Sequence, residues 1–141
     1  MSLECLTVLY LTVTNAKFID MKTTETQVGG NHYKNMKMQP VKLFALTKCT
    51  AFQANIWKYI TRYKQKNGKE DIKKAMHYAE LAIELKCDGE IYGDKLKSVE
   101  RFCEINELSA VVAQIVLYAA YNHYRHVIQK CKELIANEYP D

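Results

Sequence analysis

An all-α domain is what this sequence predicts, and three observations carry the prediction. Apolar residues at Phe52, Ile56, Tyr59, Ile60 and Tyr63 recur at three- and four-residue steps, and Ile72, Ala75, Met76, Ala79, Ala82 and Ile83 do so again. Residues 109–137 keep the same helical spacing. Only residues 3–13, LECLTVLYLTV, are rich in β-formers, and one short strand needs a partner. The expected architecture is a helical hairpin, about 50–66 and 69–86, packed against C-terminal helices, with a short N-terminal β-strand as an optional addition. Residues 1–27 read as an N-terminal extension, since Met21 offers a second start, and 28–141 as a single helical domain. A chain of 141 residues can bury about two-thirds of the surface it exposes when unfolded, so it needs no staple.

The elements follow in order. Thr23 to Gln39 is polar, contains Gly29-Gly30 and reads as a loop. Pro40 suits the first turn of a short helix over 41–47, where its missing N–H would be unpaired anyway. Thr50 and Gln53 have the spacing of a capping box, in which each side chain satisfies the other's backbone N–H. Asn67-Gly68 supplies a stop, because both residues tolerate left-handed backbone, and the short link makes the flanking helices a hairpin. After a loop over 88–93, residues 94–106 can form a helix that buries Leu96, Val99 and Phe102. In 109–137 a stripe of Val111, Val112, Ile115, Val116 and Ala119 gives way to Tyr124, Val127, Cys131 and Leu134, rotated by roughly a third of a turn. A bend or break near Asn122 accounts for the rotation. The second half thus echoes a helix–turn–helix plan, with too little likeness between the halves to establish a duplication.

Charge is segregated. Residues 29–78 hold eleven Lys or Arg against Glu70 and Asp71, while the remainder holds nine basic and fourteen acidic residues, under a net charge of only +4. Such a basic half suits an anionic partner, unless it is a solvated face or pairs with the acidic half. Five cysteines, at 5, 49, 87, 103 and 131, are odd in number and scattered, which fits free thiols in a reducing compartment rather than a disulfide framework. No apolar run reaches the roughly 18 residues of a membrane span, and no Lys or Arg precedes the apolar run at 3–13. A cytoplasmic location is therefore expected, with no membrane partner. Ten tyrosines against four phenylalanines suit half-wet surfaces. Together with Trp57 and the lone strand they point to a homo-oligomer.

On a helical wheel Asn55, Lys58, Arg62 and Lys66 fall within about 80° of one another, beside the apolar stripe. Asp71, Lys74 and Tyr78 flank the stripe of the next helix in the same way. Closing the hairpin would line one groove with both edges. Arg62 could clamp two phosphate oxygens, and Lys58, Lys66 and Lys74 could act as point charges. On the polar edge, Arg62 should be dispensable for folding unless it pairs with Asp71. Tyr59, Tyr63 or Trp57 could stack on a base, although core packing suits the two tyrosines and an interface suits the tryptophan. Asp71 either complements a helix dipole or serves metal binding and proton transfer. Gly29-Gly30-Asn31-His32-Tyr33 is a plain turn or an anion cradle, with His32 a candidate acid or base. His123 and His126 share a helical face, but with no third ligand apparent no metal site is assigned. There is no G-x-x-x-x-G-K-[ST] phosphate loop.

Gly29-Gly30-Asn31-His32-Tyr33, Gln39-Pro40, the run from Asn55 to Tyr63 and the run from Lys66 to Ala75 together resemble the SaV-like family of tailed phages, a domain of unknown function. The resemblance covers about 28–85, with Ala54 where the family usually has Gly and Ile72 where it has Leu, and leaves 86–141 as a helical C-terminal part. It implies a phage protein. One relative is a nucleoside-monophosphate kinase without the usual phosphate loop, and another makes its phage sensitive to an abortive-infection system. The expected function is binding of a nucleotide or other phosphate-bearing ligand, extending to phosphoryl transfer with Mg²⁺ as cofactor. There Lys58, Arg62, Lys66 and Lys74 would neutralise phosphates, with Asn55 and Tyr78 beside them, and Asp71 and His32 would be the catalytic pair. The alternative is a non-enzymatic effector that binds a host protein or sequesters a nucleotide signal. Nucleic-acid binding ranks third, since the hairpin is basic but carries no recognised motif.

Overall fold

The computed structural model describes residues 23–25 and 27–141. The strand expected at 3–13 lies outside them. Among the described residues every regular element is helical: a 3₁₀ turn Thr23–Glu25, then α1 (Pro40–Thr47), α2 (Ala51–Arg62), a 3₁₀ turn Tyr63–Gln65, α3 (Lys69–Glu84), α4 (Asp94–Ile105), α5 (Ala110–Ala120) and α6 (Tyr124–Glu138). None of these helices is long and apolar enough to cross a membrane.

Local chemistry sets the boundaries. Pro40 opens α1. Thr50 and Gln53 form the capping box in full, the Gln53 N–H donating to Thr50 Oγ1 at 3.2 Å and the Thr50 N–H to Gln53 Oε1 at 3.1 Å. Ser109 caps α5. Helix α2 ends earlier than the expected 66. The backbone tightens at Tyr63, whose carbonyl accepts from Lys66 and Gly68, and Gly68 at φ +54° turns the chain into α3. The break between the last two helices falls at Asn122, at φ +59°, as the rotated apolar stripe required.

The packing pairs the first three helices with the last three: α1 lies on α4, α2 on α5 and α3 on α6, while α2–α3 and α5–α6 form hairpins. The buried registers match. Ile56, Trp57 and Ile60 correspond to Ile115, Val116 and Ala119, and Ile72, Ala75, Ala79 and Ala82 to Tyr124, Val127, Cys131 and Leu134, all buried. These pairs lie 59 residues apart in the first set and 52 in the second, which leaves residues 62–68 without a counterpart. The plan echoed in the sequence is thus a three-helix unit used twice, with a two-turn excursion at the first hairpin tip.

Trp57 corrects an expectation. It is fully buried, and its indole N–H donates to the Val116 carbonyl at 3.0 Å, so it is neither an interface aromatic nor a base-stacking platform. The case for self-association loses that support. Tyr63 is also core, its hydroxyl donating to Glu138 at 2.9 Å, and burial together with that carboxylate raises its pKa. Cys103 and Cys131 are buried thiols, pushed up to about 11 and about 12 chiefly by burial, and no disulfide joins the described cysteines.

Two asparagines lock the loops to the helices. Asn106 exchanges both backbone bonds with Met38, at 2.8 and 3.1 Å, and Asn122 does so with Gly89, at 2.8 Å each. Asn122 Oδ1 also accepts from the amide of buried Gln53 and from the Tyr124 hydroxyl. Replacing Asn122 with Ala should therefore cost about 2–4 kcal/mol, from the unpaired loop groups plus the left-handed backbone. Asn122→Gly should recover only the backbone share, about 1 kcal/mol. Urea titrations of both variants test this, and equal loss in the two would mean that the side-chain bonds alone matter.

Candidate functional site

The hairpin tip is built on an ion pair. Arg62, at the end of α2, reaches across to Asp71 in the first turn of α3, with Nε to Oδ2 at 3.1 Å and Nη2 to Oδ1 at 3.3 Å. Asp71 has no exposed side-chain surface and Arg62 only 11%. Among the described residues Asp71 is the one fully buried carboxyl, amino or guanidinium side chain. The Asn67 backbone and side-chain N–H groups complete its shell, each at 3.4 Å. Such a carboxylate is stable only because its partner is fixed. Arg62 is thus a structural partner before it is a surface charge, which corrects the expectation that its removal would spare the fold.

Tyr59 forms the floor beside that pair. The Arg62 guanidinium lies 4.6 Å from its ring centroid, Lys58 Nζ 4.6 Å and Lys74 Nζ 5.6 Å. Tyr78 stacks on Tyr59 with centroids 6.0 Å apart and planes 16° from parallel. The two polar edges do meet: Lys58 and Arg62 from α2, and Lys74 and Tyr78 from α3, converge on one aromatic ring. Glu70 holds Lys74 from outside at 2.7 Å.

The loop closes the other side. Gln27 organises it, its side-chain oxygen accepting from the Tyr33 N–H at 2.9 Å and its amide lying 3.0 Å from His32 Nδ1. Gly29 and Gly30 take φ values of +82° and +135°, which L side chains rarely adopt. The Tyr33 hydroxyl donates to the Lys58 carbonyl at 3.4 Å, so the loop is tied to α2 one turn before the ion pair. Burial, then Lys66 and Arg62, lower the proton affinity of His32 against an opposing pull from Asp71. The shift favours the uncharged ring, whose Nδ1 lies against the Gln27 amide.

Two expected lining residues are placed differently. Asn55 turns back and donates to the Ala51 carbonyl of its own helix at 2.8 Å. Lys66 lies beyond the helix, at φ −133°, so the wheel does not place it; it is exposed and acts on His32 rather than on Tyr59. Tyr33 and Gln27, which the wheel could not reach, are the residues that sequence reasoning missed as organisers. The signal for Tyr33 was its place in the Gly29–Tyr33 run.

A metal does not fit this donor set. Asp71 is enclosed and already bonded, Glu70 is taken by Lys74, and no group of three or more His, Cys, Asp or Glu among the described residues could hold an ion. What remains is a cationic, aromatic-floored surface whose interior acid is neutralised.

Arg62→Ala should leave Asp71 buried and unpaired and cost about 3–5 kcal/mol, whereas Lys58→Ala should shift stability by less than about 0.5 kcal/mol. Chemical denaturation of both variants checks this. An Arg62→Ala protein as stable as the parent would show that the pair does not hold the tip.

Comparison with known proteins bears on this segment alone. No curated protein and no solved structure matches the chain. Residues 28–80, which carry the loop, α1, α2, most of α3 and all eight residues expected at the site, match the model of a family described as a protein of unknown function (DUF3310).

Proposed function

We propose that the protein binds a nucleotide or another phosphate-bearing ligand at the hairpin tip. The convergence of Lys58, Arg62 and Lys74 on the Tyr59 ring supports the reading most directly. Lys66 and His32 extend the same surface towards the glycine loop. Cations supply the attraction to phosphate, and Tyr59 with Tyr78 supplies an aromatic wall for a base. The likeness of the Gly29–Tyr33, Asn55–Tyr63 and Lys66–Ala75 runs to the SaV-like phage family, with its kinase relative, agrees with nucleotide chemistry. In this reading the protein acts inside an infected bacterial cell.

Binding has more support than phosphoryl transfer. Positioning and charge do most of the work in that reaction, and the site offers both. Asp71, however, spends both oxygens on Arg62 and Asn67 and has no surface to offer a metal or an acceptor hydroxyl. A sequestering effector needs only the cations and the rings, and that observation keeps the effector reading beside the enzymatic one.

Lys58→Ala and Lys66→Ala should each weaken ADP binding roughly tenfold while the melting temperature holds, because each removes one charge-assisted contact of about 1.5 kcal/mol. Calorimetric titration with ADP measures this. Unchanged affinity in both variants would refute the site. A coupled assay with ATP and nucleoside monophosphates separates the readings: turnover establishes a kinase, and tight binding without turnover an effector. Preference for long polynucleotides with steep salt dependence would favour nucleic-acid binding instead.

A further inference from the structure

The three-helix unit is used twice, and one contact on its outer edge recurs with it. Tyr59 of α2 corresponds to Tyr118 of α5 in the buried register, and Lys74 of α3 to His126 of α6. The contacts repeat as well. Lys74 lies over the Tyr59 ring at 5.6 Å, and the His126 ring stacks on Tyr118 with centroids 5.0 Å apart. This correspondence was not used to define the repeat, so it is independent support for it.

Around Tyr118 the C-terminal half builds its own cluster. His123 lies 6.2 Å from Tyr118, 5.8 Å from Tyr121 and 5.7 Å from His126, centroid to centroid. Tyr121, His123 and His126 are exposed, and among the described residues no carboxylate pairs with either imidazole. His123 and His126 of this cluster line a cleft of about 410 Å³ together with Lys86, Arg125 and Asp88. That volume lies within the range of about 300–1,000 Å³ typical of small-molecule sites. Among the described residues neither Lys86 nor Arg125 has an ion-pair partner, and Asp88 is the one acid of a lining that carries these two cations and two imidazoles. Exposed aromatic rings beside unpaired cations are the combination that recognises a base and its phosphate together. Two imidazoles alone make a poor metal site, because structural and catalytic zinc centres take three or four protein ligands.

We infer that this cleft is a second ligand site, which shares with the one at Tyr59 only the position of His126 in the repeat and takes the same class: a phosphate-bearing aromatic heterocycle. The ring stacks on the His123 and His126 imidazoles that line the cleft, and Arg125 and Lys86 hold the phosphate. The assignment of ligand class rests on the reading of the Tyr59 site; the cleft and its cluster do not. Its first counterpart differs by the excursion 62–68, which brings Arg62, Lys64 and Lys66 to one tip alone. The second site therefore has fewer fixed cations and binds more weakly.

Equilibrium dialysis of radiolabelled ADP against the full chain, at low salt and without divalent cations, tests this. Two equivalents are expected, the weaker one reduced about tenfold by Arg125→Ala and by His126→Ala, with unchanged melting temperature because both side chains are exposed. Proton NMR of the four histidines provides a local readout, in which the His123 and His126 ring resonances, assigned from single variants, must move with ADP. One equivalent weakened by Lys58→Ala but not by Arg125→Ala or His126→Ala would overturn the second site and leave the first standing. One equivalent lost only in the Arg125 and His126 variants would keep the second site and overturn the first. No binding at millimolar ADP would overturn both, and saturation by inorganic phosphate with equal affinity would overturn the aromatic contribution.

Discussion

The pairing of Arg62 with Asp71 constrains more of this molecule than any other contact. It joins the end of α2 to the start of α3 and fixes the tip between them. The glycine loop meets α2 one turn earlier, where the Tyr33 hydroxyl donates to the Lys58 carbonyl. A carboxylate with no exposed surface must have its charge answered locally, and Arg62 and Asn67 answer it. With Arg62 held in place, its flat face is free to lie against Tyr59. The cationic surface is thus a by-product of a structural requirement, and its geometry is rigid for that reason.

Much of the fold was legible because its signals are local. The capping box at Thr50 and Gln53, the proline at the start of α1 and the rotated stripe around Asn122 each involve residues within a turn or two of one another. Trp57 shows where such reading stops. The residue sits at the edge of an amphipathic wheel, and only the Val116 carbonyl, 59 residues away, makes burial of its N–H favourable. Lys66 shows a second limit. A wheel assumes an unbroken helix, and the tightening at Tyr63 carries Lys66 off it.

The candidate site was legible in composition and only partly in geometry. Charge segregation singled out 29–78, and the wheel brought Lys58, Arg62, Lys74 and Tyr78 to one edge, where they meet around Tyr59. Periodicity gives the angle of a side chain about its helix but not its partner. It could not say that Asn55 would bond to its own backbone or that Asp71 would be consumed. Those outcomes depend on the distance between helices, which is set by the small residues Ala75, Ala79 and Ala82 on α3.

The two halves also show how one scaffold can carry unequal surfaces. Their cores match in which positions are buried and not in side-chain volume, since Trp57 stands opposite Val116, Ile72 opposite Tyr124 and Ala82 opposite Leu134. Their tips do not match, because an exposed turn can accept two extra helical turns at small entropic cost. In the first half the added residues 62–68 bring three of the basic side chains, and the buried carboxylate beneath them keeps their repulsion from opening the hairpin. In the second half the link is three residues long, pinned by Asn122, and leaves aromatic and imidazole rings at the surface. A core that is repeated and tips that are not is an arrangement in which affinity can be tuned at one end without repacking the other.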